Sequence, residues 1–175
     1  AIRHVLIAPY ILIIQAELSE SLAAPFQALN LYQQVLKLTD GRAGHPSGIA
    51  LATMGYLFWE WQDLEVAGKY LLHAWNMGQE IHNSNVIFNS GFWLALLSQA
   101  QGQTQEAAGW LQRLETYMQE VGGLDGAEVI NLIRASFALA QGRLEDALLR
   151  VQKRLGGSKD EVFLHDDIED LSLIH

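Results

Sequence analysis

SGIALATMGYLFWEWQDLEVAGKYLLHAWNMGQ, residues 47–79, decides the fold. It reads as two amphipathic helices joined by a tight turn near Trp61-Gln62-Asp63. The first carries Ile49, Leu51, Ala52, Met54, Gly55, Leu57, Phe58 and Trp61, and the second Leu64, Ala67, Leu71, Leu72, Ala74 and Trp75. Both sets recur at spacings of three and four, so each helix presents one apolar face. Asp63 stands where a carboxylate can cap the second helix, and Glu65 sits in its first turn, where negative charge suits the helix dipole.

Working outward, the unit repeats with a period of 40 residues. QGQTQEAAGWLQRL at 101–114 resembles QGRLEDALLRVQKRL at 141–155. A small residue on the first helix precedes one on the second by 12 positions: Ala16 and Ala28, Gly55 and Ala67, Ala95 and Ala107, Ala135 and Ala147. Two antiparallel helices approach closely only where both carry Gly or Ala at the crossing, because a bulky side chain would hold the axes apart. Tyr32, Leu71, Leu111 or Val151 follows each second-helix Ala by four and is expected to fill the space between hairpins.

The period predicts an all-α, right-handed superhelix of four hairpins, over about 3–38, 47–79, 84–120 and 125–155, with a tail helix over about 160–174, all in one domain. The apolar run Val5 to Ile14 is read as the buried first helix of the first hairpin. At half the ~20 residues of a membrane span, and interrupted by Pro9, it is not read as one. TDGRAGHPS, 39–47, is read as a loop on account of Gly41, Gly44 and Pro46, and such loops are expected to absorb the length of the repeat. No run alternates in the manner of a strand.

Composition narrows the function. Half of the 175 residues are hydrophobic and 18% are charged, which suits a packed chain and argues against disorder. Cysteine is absent, which excludes disulfides, thiolate metal sites and thiol catalysis. Lys and Arg number 11 against 20 Asp and Glu, for a net charge of −9. Phosphate-tracking surfaces need clustered cations, and here they scatter apart from Arg150 to Arg154, so no direct nucleic-acid contact is expected. The six histidines form no metal-binding pair at helical spacing, and in His165-Asp166-Asp167 consecutive side chains point in different directions. No G-x-x-x-x-G-K-[ST] loop occurs. No catalytic residue, metal or cofactor is assigned, and the chain is expected to be a non-enzyme of the cytoplasm.

Stacked hairpins place their first helices along one groove. Counting from the small positions, the residues expected to face it are Ile13, Glu17 and Glu20, then Ala52, Tyr56 and Trp59, then Phe92, Leu96 and Gln99, then Leu132, Ser136 and Leu139. Glu60, Asn89 and Trp93 flank the stripe. The candidate groove is therefore Glu17, Tyr56, Trp59, Glu60, Asn89, Phe92, Trp93 and Gln99. Rings with a few amides and carboxylates suit a peptide, a sugar or another small amphipathic ligand. The alternative is that the same rings pack between hairpins.

Gly55-Tyr56, Phe58 and Ala67 resemble the tetratricopeptide repeat, although that repeat has a period of 34 and HEAT and armadillo repeats run near 40. The prolines at 9, 25 and 46 recur at no fixed place, and the small-residue pair fits the tetratricopeptide pattern better. Leu57 to Ala67, LFWEWQDLEVA, followed by Tyr70-Leu71, resembles the helical-repeat region of MalT-type transcriptional regulators of the LuxR family, as do the A-x-G-x-x-x-x-A turns at Ala100–Ala107 and Ala140–Ala147. That resemblance implies a sensor module that receives a small inducer or a regulatory protein, lying between a nucleotide-binding switch and a helix-turn-helix. Neither flank is in this chain, so it is expected to be a fragment of a larger protein. A plain tetratricopeptide scaffold, binding a peptide or self-associating, is the alternative function.

Overall fold

The computed structural model describes residues 2–121, 131, 134–139 and 141–155, with side chains from residue 7 to residue 149 of that set. The helices are α1 (Ile2–Ser21), α2 (Pro25–Leu38), α3 (His45–Glu60), α4 (Leu64–Glu80), α5 (Ser84–Ala100), α6 (Thr104–Val121) and α7 (Leu144–Leu155), with residues 134–139 also helical. No strand occurs among the described residues. The chain forms two compact units, Ala1–Val121 and Gly122–His175. The expected tail helix over 160–174 lies outside the described residues.

The hairpin turns are local chemistry. In each, one residue takes a left-handed conformation: Ala23 (φ 54°), Gln62 (φ 63°), Gly102 (φ 75°) and Gly142 (φ 71°). The next residue's N–H then reaches back to a carbonyl five positions earlier, from Asp63 to Phe58 at 3.0 Å and from Gln103 to Ser98 at 2.8 Å. This satisfies carbonyls that the helix end would leave unpaired. Gly102 and Gly142 adopt the conformation without steric cost, whereas Ala23 and Gln62 hold it against their Cβ atoms. Asp63 caps α4 as expected, accepting from the Val66 N–H at 3.2 Å, and Asn83 caps α5 in the same way at 3.0 Å.

The boundary between loop and helix before α3 differs from the sequence reading. Helix α3 starts at His45, so the loop before it ends at Gly44. Pro46 falls in the first helical turn, where its missing N–H leaves no bond unmade. The loops consequently do not absorb the long period. Helices α3 to α6 are 16, 17, 17 and 18 residues long, and residues 81–83 alone join α4 to α5. The 40-residue repeat is a hairpin with lengthened helices.

Each helix from α1 to α6 packs against the next, and the first helices also touch each other, α1 with α3 and α3 with α5. The second helices stand farther apart: α4 and α6 meet through the edge-on rings of Trp75 and Trp110 at 5.3 Å. First helices therefore sit on the tighter, inner side of this unit. Ala16, Ala28, Ala67, Ala95 and Ala107 are fully buried, Gly55 is buried, and Ala135 and Ala147 are nearly so, which bears out the small-residue register. A Cβ on Gly55 would stand 2.5 Å from Leu71 Cγ, and one on Gly91 would stand 2.5 Å from Trp75 Cζ3 and 2.7 Å from Leu114 Cδ2. Tyr32 and Leu71 fill their gaps as expected, but Leu111 is only half-buried and Leu114 takes that role in α6. Val151 lies outside the described side chains.

The apolar run in α1 is the largest difference. It is helical through Pro9, but it is buried on one face only. Pro9, Ile13 and Ala16 face α2 and α3, while Ile7, Ile11, Ile14 and Leu18 are exposed. Residue type set the apolar character here, and no described helix covers the second face.

Candidate functional site

Helix α3 is flanked by α1 and α5, and the three enclose a cavity of about 590 Å³. Its floor is one face of α3, His45, Ile49, Ala52, Thr53 and Tyr56, at spacings of three and four. Helix α5 supplies Asn85, Val86, Asn89 and Trp93, and α1 supplies Glu17. The volume falls in the range of small-molecule sites, about 300–1,000 Å³.

One end of the cavity is aromatic. The Tyr56 ring lies 4.6 Å from that of Trp93 at a tilt of 37°, and Trp59 lies 5.0 Å from Trp93 at 50°. Phe92 packs edge-on to Trp93 at 5.7 Å and parallel to Phe88 at 6.3 Å. The Trp59 indole N–H is enclosed and has no hydrogen-bond partner among the described residues, and the ring packs against Trp93.

The same end is acidic. The Tyr56 hydroxyl donates to Glu60, and the Tyr32 hydroxyl donates to Glu20 at 2.6 Å. Burial holds the Glu20 carboxyl above the usual carboxylate range; repulsion from Glu17 and Glu60 adds to this, and the Tyr32 hydrogen bond partly offsets it. Burial, then the Glu60 carboxylate, pushes the Tyr56 phenol up to about 12. Burial and Glu20 push the Tyr32 phenol up further, and a Thr53 hydrogen bond acts the other way. Among the described residues, no ion pair neutralises Glu17, Glu20 or Glu60.

Of the residues expected in the groove, Glu17, Tyr56, Asn89 and Trp93 line the cavity, and Trp59 and Glu60 adjoin it through Trp93 and Tyr56. Phe92 backs Trp93 and does not line the cavity; Gln99 is half-buried farther along α5. Ile13 belongs to the core formed with Ala28, Tyr32 and Val35. Ser136 is half-buried and Leu139 exposed in the second unit, and Leu132 lies outside the described residues. His45, Ile49, Thr53, Asn85 and Val86 line the cavity and were not singled out. Of these, Asn85 carried a signal: it stands four before Asn89, whose amide donates to its carbonyl oxygen at 2.9 Å and its Oδ1 at 3.1 Å.

The cause of the mismatch on α5 is stagger. The 40-residue period sets Leu96 level with Tyr56 and Gln99 level with Trp59, yet both rings meet Trp93, three and six residues earlier. Side chains of α3 thus meet α5 residues three to six positions before those that the repeat register pairs with them.

A second cavity, about 640 Å³, opens between α4 and α6 beside Trp75, Gln79, Arg113 and Tyr117. Arg113 lies over the Trp110 ring at 4.4 Å. Among the described residues, no group of three or more His, Asp or Glu could hold a metal ion, and no helix is long and apolar enough to cross a membrane. His165-Asp166-Asp167 lies outside the described residues.

A family model described as the MalT-like TPR region matches residues 1–167. No curated protein matches the chain. Among solved structures it is similar to BtubC (BKLC) from P. vanneervenii, at 14% identity and a TM-score of 0.67, over 89% of this chain and 67% of that one. At that identity the likeness speaks for the helical-repeat fold alone.

Proposed function

The chain belongs to the MalT-like tetratricopeptide family, and from that premise we propose that it is the receiving module of a LuxR-family transcription regulator, with the α1–α3–α5 cavity as its ligand or partner site. The observation that carries this reading is the cavity itself, walled by three successive first helices and bordered by half-buried rings. The module acts by binding in the cytoplasm, without turnover and without a cofactor, and leaves DNA contact to other parts of the regulator. Its net charge of −9 accords with that division of labour. Occupant and wall would have to differ in affinity between two states of the array to transmit a signal.

The test is a reporter assay in the full-length regulator. Asn89→Ala and Trp93→Ala are expected to abolish the response to inducer, while Arg113→Ala, in the other cavity, leaves it intact. An unchanged response in both cavity variants, at normal protein levels, would remove the cavity from the function. A second reading, a scaffold that associates with itself or another protein, is supported by the exposed Ile7, Ile11, Ile14 and Leu18 stripe on α1. Sedimentation showing concentration-dependent dimers that Ile14→Glu disperses would favour it.

A further inference from the structure

We propose that the α1–α3–α5 cavity selects an organic cation, an ammonium or guanidinium group seated against Tyr56 and Trp93 and facing Glu17. This rests on the cavity being the receiving site and adds the chemical class of its occupant. Three features of the wall point the same way.

The first is the rings. Tyr56 and Trp93 are in tilted contact at 4.6 Å and 37°, and both also line the cavity, so each presents ring surface to it. Aromatic faces attract cations through their quadrupole, indole most strongly. The Tyr56 hydroxyl donates to the Glu60 carboxylate, which raises electron density in that ring.

The second is the sign of the charge. Glu17 lines the cavity, and Glu20 and Glu60 lie within electrostatic reach of it. No Lys or Arg is among the residues that line the cavity; Lys69 pairs with Glu65 at 2.6 Å, Arg143 with Asp146 at 2.7 Å and Arg42 with Asp40 at 4.0 Å, and Arg113 covers Trp110. An anion would enter against this field, whereas a cation relieves the mutual repulsion of the carboxylates.

The third is what the neutral polar groups already do. The Asn89 amide donates to Asn85 and the Tyr56 hydroxyl to Glu60. The Tyr56 hydroxyl and the Asn89 amide N–H are thus engaged within the wall, and the Glu17 carboxylate and the Tyr56 and Trp93 rings line the cavity beside them.

The experiment titrates the whole chain with choline, with agmatine, and with 3,3-dimethyl-1-butanol, which has the shape of choline without its charge, reading calorimetric heat and tryptophan fluorescence. Choline or agmatine is expected to bind about tenfold or more tightly than the neutral analogue. Glu17→Gln, at an exposed position, is expected to weaken the cation severalfold without moving the melting temperature, and Glu17→Lys to abolish binding. A lysine-containing tetrapeptide separates the two sources: binding tighter than that of choline assigns the cation to a protein partner, and weaker binding to a small molecule. Equal binding of choline and its neutral analogue, or preference for a neutral disaccharide, overturns the cation and leaves the receiving site standing. Failure of choline, agmatine and the peptide alike also overturns it. The receiving site falls separately, if the reporter ignores Trp93→Ala.

Discussion

Helices α1 and α3 occupy the same place in successive repeats, and matching residues meet opposite fates. Ala16 matches Gly55, and two positions later Leu18 matches Leu57. Leu57 is 1% exposed and packs with Ala28, Tyr32 and Val35 of the preceding hairpin. Leu18 is 58% exposed. Ile11 and Ala50 differ likewise, the larger residue lying in the open and the smaller in the core. An apolar face records what a helix can bury; a neighbour decides whether it does.

The largest expected effect breaks this comparison directly. Leu57→Ala is expected to destabilise by about 2–5 kcal/mol, the cost of a core cavity. Leu18→Ala at the matching position should stay within about 0.5 kcal/mol. Urea midpoints at constant slope measure both. Comparable losses would mean that the open face of α1 is covered in solution, and dilution would then lower the midpoint.

A smaller effect sharpens it. Gly55→Ala drives a methyl into Leu71, whose side chain is fully buried and whose own backbone nitrogen stands 3.1 Å from that Cβ. The expected loss is about 1–3 kcal/mol. Alanine is a better helix former than glycine, so an unaltered or raised melting temperature would show that α3 and α4 can separate at little cost. The match in α1 already carries Ala16, fully buried, opposite a second helix with Tyr32 in place of Leu71.

The smallest effect is electrostatic. Glu20 stands where α3 has Trp59. Its pKa in the folded chain is above the ordinary 4.5, so the folded state holds the proton more tightly than the unfolded state. Its contribution is full below pH 4.5 and is lost as pH rises through the folded pKa. Glu20→Gln keeps an acceptor for the Tyr32 hydroxyl and removes the charge that faces Glu17 and Glu60. The variant should therefore be the more stable at pH 7, with the gap closing toward pH 4. Parallel stability curves across that window would show that Glu20 is not strained by its neighbours.

Residue by residue, the legible part of the site was the part on α3. Tyr56 is one place past the small position on the helix whose pattern is clearest, and Glu17 stands at the matching place on α1. On α5 the same count pointed to Phe92, Leu96 and Gln99, with Asn89 and Trp93 as flanking residues; the cavity takes the two flanking residues together with Asn85 and Val86. His45 was assigned to a loop on account of Gly41, Gly44 and Pro46, although proline is well suited to a first helical turn.

The sequence by itself determined whatever is settled within a turn or two of backbone. That covers the helical period, the turns near Gln62 and at Gly102 and Gly142, the Asp63 cap and the small residues at each crossing, because hydrogen bonds and side-chain sterics there act between residues near in the chain. The tertiary structure alone decided the stagger of α5 against α3, the exposure of the α1 stripe and the enclosure of Trp59. Those follow from how ridges of one helix seat in the grooves of another, which depends on side-chain volumes summed across the interface and on whether a neighbour is there at all.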